Sequence, residues 1–223
     1  MASPMTSTEK FLKRALDLFL VFIGLLLTAP VMAAAALIIK LESKGPLFFL
    51  QERIGKDGKP FTIFKFRTMV DGAEHIGAGL DLVKGDPRIT KSGHFLRRWC
   101  IDELPQLFNV LRGEMSCVGP RPTLRYQVEQ YTGHERRRLE VKPGMTGLAT
   151  VKGRNALSWP ERIEWDIWYV DHYSFWLDIK LILATFSLLA KSDVVYADSV
   201  EAFRIRTGEE EDPKEPQAPQ APE

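Results

Sequence analysis

The chain has 223 residues, and 45% of them are hydrophobic, which is enough for one domain with a core. Its formal net charge is +1, but residues 207–223 contain six acidic groups and one lysine, so residues 1–206 carry +6. A basic body suits anionic partners, although a solvated basic surface explains the charge equally well. The two cysteines lack CxxC spacing and the four histidines lack metal-ligand spacing, which argues against a disulfide framework and a zinc site.

The N-terminal region contains a long apolar stretch, residues 18–39. Its 22 residues include no charged side chain, and 13 of them are Leu, Ile, Val or Phe. At about 1.5 Å per residue, a helix of this length can cross a bilayer core of roughly 30 Å. The stretch is too long for a signal peptide and offers no small-residue cleavage site near its end. A membrane helix is therefore expected here.

Two features of this stretch argue against a simple span. Pro30 lies near its middle and removes a backbone hydrogen bond. Basic residues flank both ends, and such flanks favour the cytoplasmic side. Three interpretations stay open: a re-entrant helix-break-helix bent at Pro30 that enters and leaves one leaflet, a kinked span, or a helix buried in the protein core. The flanking residues are Lys10, Lys13, Arg14, Lys40, Lys44 and Arg53.

The region after this helix predicts a small β-structure. Residues 46–69 are rich in Phe and Ile on both sides of Asp57-Gly58, which is typical of a β-hairpin. Residues 71–92 are rich in Gly, Asp and Lys and predict a mobile loop. A short helix or turn is expected over 93–101.

A helix follows that begins with Asp102 as its N-cap and ends at Gly113. Pro105 is tolerated in its first turn. Residues 118–124, VGPRPTL, predict rigid extended chain. Residues 142–154 predict a glycine-rich loop with a short strand.

The C-terminal part predicts two helices and a tail. Ser158 and Glu161 have the spacing of a capping box. The helix they open carries an aromatic stripe, which can pack in the core or lie at a membrane interface. Residues 175–191 form an apolar helix suited to lying on a bilayer. The acidic, proline-rich tail over 207–223 is expected to be disordered. The aromatic residues are Trp165, Trp168, Tyr169 and Tyr173.

The adjacent carboxylates Asp102 and Glu103 are the first candidates for chemistry. As structure, Asp102 is a helix cap and Glu103 a first-turn acid. As function, a carboxylate at a helix N-terminus can attack a phosphorus atom, because that end of the helix also attracts phosphate. Such a reaction needs cations to offset the charge of two anions.

Several basic residues could provide that charge. Arg121 stands between two prolines, which favours a bidentate grip on phosphate, although a structural salt bridge is the alternative. Lys65 and Arg67 are two residues apart, hence on one face of a strand, where they share an anion or face solvent. Arg97, Arg98 and Arg154 are also available in neighbouring motifs.

Together these segments resemble the bacterial sugar transferase family, the small monotopic phosphoglycosyl transferases. The similarity extends over about residues 10–200, and the most specific stretch is 102–122. The segments that carry it are KFRTM (65–69), DELPQLFNVLRGEMSCVGPRP (102–122), KPGMTGLATVKGR (142–154) and DIWYVDHYSFWLDIKLI (166–182).

The resemblance implies transfer of a sugar 1-phosphate from a UDP-sugar to a polyprenol (undecaprenyl) phosphate, with release of UMP. It implies Mg²⁺ dependence and a nucleophile at Asp102 with Glu103 as its partner. We expect Asp102 and Glu103 to hold the metal, and for Glu103 the handling of a proton is the alternative role. It also implies a membrane kink at Pro30. Ala29 and Thr150 depart from the family pattern, which often has Ser and Gln there. The residues expected to bind phosphate are Lys65, Arg67, Arg98, Arg121 and Arg154.

The expected architecture is α+β and mostly helical. Residues 1–44 form the re-entrant membrane helix, and 45–206 form a catalytic domain with a small hairpin and amphipathic interfacial helices. The expected location is the cytoplasmic face of a bacterial inner membrane, in one leaflet, as the first membrane step of glycoconjugate synthesis. A homodimer is compatible with the sequence. A nucleic-acid partner is not expected, because no recognised binding module appears. The alternatives are a membrane-anchored module that binds anionic lipid or glycan, and a Mg²⁺-dependent phosphohydrolase.

Overall fold

A computed structural model describes residues 5–76, 85–153 and 157–190. The described chain is mostly helical with a small amount of β-structure, as predicted. The elements are α1 (Ser7–Glu42), β1 (Phe48–Ile54), β2 (Pro60–Phe66), α2 (Lys91–Arg98), α3 (Gln106–Arg112), β3 (Ser116–Val118), α4 (Arg125–Glu129), β4 (Gly144–Thr146), α5 (Leu148–Lys152), α6 (Trp159–Asp171) and α7 (Phe175–Ala190). The tail over 207–223 lies outside the described residues.

Helix α1 begins at a capping box in which Thr6 and Glu9 satisfy each other's backbone N–H groups. One stripe of its surface packs on the domain from end to end, while the opposite face exposes large apolar side chains. Only 11% of its most apolar 18-residue stretch is buried in the protein, so the interpretation as a buried core helix is wrong. Within the described residues, α1 is the one helix long and apolar enough to cross a membrane. The buried stripe is Lys13, Asp17, Val21, Ala35 and Ile39.

Pro30 lies inside α1, which runs on to Glu42. A proline removes the bond to the carbonyl four residues earlier and weakens the helix at that turn. The Thr28 hydroxyl donates to the Gly24 carbonyl at 2.6 Å. Such a bond to the preceding turn often bends a helix. Ala29, where the family often has Ser, provides no hydroxyl group, but the hydroxyl of the neighbouring Thr28 lies close to Pro30 in the chain and makes this bond.

Strands β1 and β2 form the predicted antiparallel hairpin, with Phe48 opposite Phe66 and Ile54 opposite Pro60. A tight turn joins them, and in it Asp57 has φ +57° and Gly58 has φ +74°. Asp and Gly are residue types that adopt this left-handed conformation. The hairpin packs on α1 and α3 through a shared apolar cluster. That cluster consists of Val21, Phe61, Ile63, Leu107, Val110 and Met115.

The described parts of the predicted mobile loop, 71–76 and 85–92, are held by a buried ion pair. The Arg88 guanidinium bonds the Asp86 carboxylate at 2.6 Å and the carbonyls of Ala73 and Ile76 at 2.9 and 2.8 Å. A buried charge pair is stable only when its remaining donors find acceptors, and here they do. The described parts therefore form defined contacts, while mobility of this segment stays a prediction, and residues 77–84 lie outside the described residues.

The glycine-rich segment forms β4, which pairs in parallel with β3. The two backbones approach so closely that a Cβ atom on Gly144 would lie 2.1 Å from the Gly119 nitrogen. The Gly119 N–H donates to the Thr146 carbonyl at 2.9 Å, and the Gly144 N–H donates to the Pro120 carbonyl at 2.8 Å. These glycines thus permit strand pairing, and the pairing fixes the start of the Pro120-Arg121-Pro122 segment.

Helices α6 and α7 cover the end of this sheet. Helix α6 begins at the predicted capping box, in which the Ser158 N–H donates to Glu161 at 2.8 Å. Its aromatic stripe fits core packing in part and an exposed interface in part. Tyr169 is buried in the core, whereas Trp168 is 40% exposed. Helix α7 exposes Trp176 and other large apolar side chains, as a helix lying on a bilayer would.

Candidate active site

Asp102 lies in a tight turn between α2 and α3. Cys100 has φ +54° and reverses the chain after α2. A single 3₁₀ turn, Ile101–Glu103, follows, and α3 begins only at Gln106, after Pro105. The N-cap assignment for Asp102 is therefore wrong, because Pro105 takes the position before the first helical residue. The helix ends at Gly113, whose φ of +82° gives the predicted left-handed end.

The Glu103 carboxylate is gripped by two cations. Its Oε1 atom accepts hydrogen bonds from Lys65 Nζ at 2.8 Å and from the Arg121 guanidinium at 2.5 Å. Burial alone would raise the pKa of Glu103, but Arg121 and Lys65 together hold that pKa well below its usual range. Glu103 is therefore ionised at neutral pH, and its first role is to position these two cations.

Unlike Glu103, the Asp102 carboxylate is not bonded by a cation within the described part of the chain. It is 9% exposed, and no hydrogen bond from the described residues holds its carboxylate. Burial raises the pKa of Asp102 to about 6, and the charge of Glu103 adds to this rise, while Lys65, Arg97 and Arg121 oppose it. Most Asp102 side chains are thus ionised at neutral pH, with free lone pairs beside three cations. A carboxylate in this state is suited to nucleophilic attack.

Among the arginines, Arg97 lowers the pKa of Asp102 the most. Its charge lowers the pKa of Asp102, and its Nε atom bonds Thr68 Oγ1 at 2.7 Å. Arg98, the residue expected to bind phosphate, is exposed on α2. Burial of Leu96 sets the rotation of α2, and one residue along a helix turns a side chain by about 100°. The sequence analysis considered both arginines, but only the rotation of α2 shows that Arg97 is partly buried beside Asp102 whereas Arg98 is exposed to solvent.

Arg67 does not join this group. Strand β2 ends at Phe66, and the Arg67 guanidinium turns to the chain that leaves α1. It donates to the Lys44 carbonyl at 2.5 Å and to the Ser43 carbonyl at 3.0 Å. These bonds satisfy carbonyls beyond the end of the helix, which is a structural use of an arginine. Arg154 lies outside the described residues.

The backbone of Arg121 is held by two further arginines that the sequence analysis did not assign to the site. The Arg138 guanidinium donates to the Arg121 carbonyl at 3.0 Å and pairs with the buried Asp166 carboxylate at 2.5 Å. The Arg53 guanidinium donates to the Pro122 carbonyl at 3.4 Å. Together with the flanking prolines, these contacts leave the Arg121 side chain little freedom to lose on gripping an anion.

The site can accommodate a divalent cation through Asp102. Hard cations such as Mg²⁺ bind carboxylate oxygens and often use one or two carboxylates together with substrate phosphates. The Asp102 carboxylate has lone pairs available for this. Glu103 Oε1 is already taken by Lys65 and Arg121. The described residues contain no cluster of three metal-ligating side chains, so substrate oxygens would supply most of the ligands.

Comparison with known proteins identifies the class of protein that this fold and site belong to. Residues 8–192 match the family described as "Bacterial sugar transferase". This match covers most of the chain, so the chain belongs to the bacterial sugar transferase family.

Three relatives show what members of the family are named for. The "Uncharacterized sugar transferase EpsL" of Bacillus subtilis (strain 168) is 46% identical over 78% of this chain and 85% of its own length. The "UDP-galactose-lipid carrier transferase" of Erwinia amylovora is 38% identical over 85% of this chain and 42% of its own length. The "UDP-glucose:undecaprenyl-phosphate glucose-1-phosphate transferase" of Escherichia coli (strain K12) is 42% identical over 82% and 41%. The chain thus covers most of the first relative but about two fifths of the other two.

Proposed function

We propose that this protein is a phosphoglycosyl transferase that moves a sugar 1-phosphate from a UDP-sugar to undecaprenyl phosphate and releases UMP. The observation that carries the proposal is the pairing of a gripped carboxylate, Glu103, with a free one, Asp102. A binding module would need the cations but not a second, largely buried carboxylate to which no described side chain donates a hydrogen bond. The names of the relatives supply the donor and acceptor classes.

The reaction divides into two displacements. In the first, an Asp102 oxygen attacks the sugar-side phosphorus of the donor, the P–O bond to the second phosphate breaks, and UMP leaves with the electron pair. In the second, an oxygen of the lipid phosphate attacks the phosphosugar and Asp102 is released as a carboxylate. Lys65, Arg97 and Arg121 offset the negative charge in both steps. A covalent intermediate lets the two anionic substrates react one after the other.

We propose that Mg²⁺ binds at Asp102 together with donor phosphate oxygens. When bound, such a cation neutralises charge on the transferring phosphoryl group. Glu103 keeps Lys65 and Arg121 in place through Oε1, and its Oε2, which receives one contact from Arg121 at 3.4 Å, stays available to the metal. Its main contribution is thus to orient the cations.

We propose further that α1 is re-entrant and that the site lies at the cytoplasmic surface of one leaflet. Both halves of α1 pack on the same domain: Lys13 and Asp17 contact it near the start, and Ala35 and Ile39 near the end. The ends of a spanning helix would lie on opposite sides of a bilayer core of roughly 30 Å. Ile101, next to Asp102, packs on the cluster that contains Ala35 and Ile39. The nucleophile therefore lies beside the membrane helix.

The decisive experiment supplies UDP-sugars and undecaprenyl phosphate to the purified protein and follows UMP release and lipid product together. We expect UMP release to match lipid product, and a phosphosugar adduct on Asp102 when the lipid is omitted, seen by intact mass. Release of sugar phosphate to water without need of lipid would indicate a phosphohydrolase. Absence of UMP release with every donor would indicate a binding module. Active transfer without an adduct would refute the aspartyl intermediate.

The topology has its own test. Lys10→Cys and Lys44→Cys, each exposed at one end of α1, are made in a Cys100→Ser/Cys117→Ser background and labelled in sealed cells. A re-entrant helix predicts that both positions are shielded from a membrane-impermeant maleimide added outside, and that both react once the membrane is opened. Labelling of either position from outside would refute the one-leaflet arrangement.

A further inference from the structure

Two arginines near Arg121 have buried donor groups with no hydrogen-bond partner within the described residues. These groups are the Nε atom of Arg53 and one terminal nitrogen of Arg162. Both side chains are otherwise anchored. Arg53 bonds Gln51 Oε1 at 2.5 Å, and Arg162 Nε bonds the Leu157 carbonyl at 3.0 Å. A buried donor without an acceptor is destabilising, so an acceptor placed at either position would stabilise the protein.

The charge of Arg121 repels both guanidinium groups. Burial and the charge of Arg121 lower the pKa of Arg53 to about 10, while the charge of Glu103 opposes this. Burial and the charge of Arg121 likewise lower the pKa of Arg162. The nearby carboxylates are already engaged, since Glu103 bonds Arg121 and Asp166 bonds Arg138. An anion with several oxygen acceptors would relieve the repulsion and satisfy the free donors.

The position of this group separates it from Asp102. The strongest cationic influences on Asp102 are Lys65, Arg97 and Arg121. Arg53 donates to the Pro122 carbonyl at 3.4 Å, and Arg162 lies one helical turn before Asp166, whose partner Arg138 donates to the Arg121 carbonyl, so both arginines lie beside the Arg121 segment. Arg162 stands on α6, which packs on the 135–140 turn and α5, whereas Ile101 packs on the membrane helix α1. The group therefore adjoins Arg121 through elements other than α1, on which Ile101 packs.

We propose that Arg53 and Arg162 form, with Arg121, the binding site for the nucleotide-side phosphate of the nucleoside diphosphate sugar. This inference rests on the proposed function. The two phosphates of the donor share one bridging oxygen, so when the sugar-side phosphate meets Asp102, the other can reach Arg121 and the two arginines beside it. As the bridge breaks, the extra negative charge develops on this second phosphate, where the two arginines stabilise it. The ligand class is thus a nucleoside monophosphate unit, held before and after the first displacement.

The test compares Arg162→Met with Arg136→Met, a control at an exposed arginine. Within the described residues, the Arg162 side chain bonds only the Leu157 carbonyl, just before its own helix, so its loss leaves the Arg121 backbone contacts intact. We expect Arg162→Met to raise KM for the UDP-sugar and the inhibition constant of UMP at least tenfold, with KM for undecaprenyl phosphate unchanged. Arg136→Met should leave all three values unchanged. Titration calorimetry with UMP alone should show the same loss of affinity without turnover.

Arg53→Met is the second variant. Because it also removes the hydrogen bond to the Pro122 carbonyl, its melting temperature is measured together with its kinetic constants to detect a loss of stability. Unchanged UDP-sugar KM and UMP inhibition in a folded Arg162→Met variant would refute the inference. A rise confined to KM for undecaprenyl phosphate would also refute it and would assign the group to the lipid phosphate. Both results require an active wild-type protein. Failure of the wild type to release UMP would instead refute the proposed function.

Discussion

Two lysine–carboxylate pairs in this molecule have similar distances but different surroundings. Lys13 pairs with Asp178 at 2.6 Å and Lys65 pairs with Glu103 at 2.8 Å. The first pair is sealed, with side chains 10% and 2% exposed, whereas the second reaches solvent at 22% and 19%. Distance alone therefore does not separate a structural pair from a functional one.

The two pairs differ in what satisfies them. Lys13 Nζ also donates to the Val118 carbonyl at 2.9 Å and to Tyr169 Oη at 3.1 Å, while Tyr169 Oη donates to Asp178 at 2.7 Å. This network joins α1, β3, α6 and α7 with its charges balanced. Around Glu103, by contrast, the cations outnumber the bonded carboxylates and Asp102 is left free. A surplus of unsatisfied charge marks the site where a ligand binds.

The first prediction changes the free carboxylate. Asp102→Asn should lower turnover by at least about 10³-fold, because the amide cannot replace the nucleophile. It should also raise the melting temperature at pH 8. The pKa of Asp102 rises from 3.8 to about 6 on folding, so ionising it in the folded state costs stability at high pH. Well below pH 3.8 the group is protonated in both states, and the gain in melting temperature should shrink to the neutral Asp-to-Asn difference.

Asp102→Glu serves as the control, since it keeps the charge but displaces the oxygens. It should be inactive without the gain in stability at pH 8. Near-normal turnover of folded Asp102→Asn would remove Asp102 from its assigned role.

The second prediction breaks the sealed pair. Lys13→Met leaves the buried Asp178 charge without its partner, which costs roughly 3–5 kcal/mol of unfolding free energy. The protein that remains folded should keep its KM for UDP-sugar, because the pair is structural. Denaturant unfolding in detergent measures the loss, with activity measured per folded protein. The double variant Lys13→Met/Asp178→Asn should recover part of the stability. A raised UDP-sugar KM with unchanged stability would contradict the contrast between the two pairs.

The sequence could predict the parts of the site that lie close together in the chain or carry a strong local signal. The Asp102-Glu103 pair, the proline-flanked Arg121 and the hairpin that carries Lys65 were all visible as motifs, and the structure brings them together. The two-residue alternation failed for Arg67 because β2 ends one residue earlier. Local patterns give element type well but locate an element's end poorly, and the end decides which way a side chain turns.

The missing parts depend on distant contacts. Arg138 meets Asp166 and the Arg121 carbonyl across separations of 28 and 17 residues, and Arg53 meets Pro122 across 69. No periodicity encodes such contacts. For Arg53 one signal was available in the sequence. An arginine within a hairpin rich in Phe and Ile is expected to have either a structural partner or a role in binding. Likewise, Asp178 in an apolar helix indicated a buried partner, which the fold supplies as Lys13.

The third prediction tests the support behind Arg121. Asp166→Asn removes the charge that holds Arg138, and so loosens the Arg121 backbone. We expect a UDP-sugar KM raised about tenfold, or about 1.4 kcal/mol of lost binding, with kcat changed less. Asp166 acts through Arg138 as a positioning residue. Asp171→Asn is the matched control. Asp171 lies on the same helix as Asp166, forms a partly exposed ion pair with Arg137, and should leave KM unchanged when it is replaced. Equal effects of the two variants would show that only α6 stability matters.

The fourth prediction is the pH profile, and it distinguishes the two carboxyl groups that titrate near neutrality. Burial raises the pKa of Asp102 and that of Asp166 each to about 6. Attack requires ionised Asp102, so kcat/KM for the UDP-sugar should fall about tenfold per pH unit below 6. Glu103, whose pKa is held low, stays ionised there. In Asp166→Asn this acidic limb should persist at a lower overall level, because Asp102 still titrates. Loss of the limb in that variant would assign it to Asp166, and acid would then weaken donor binding by releasing Arg138.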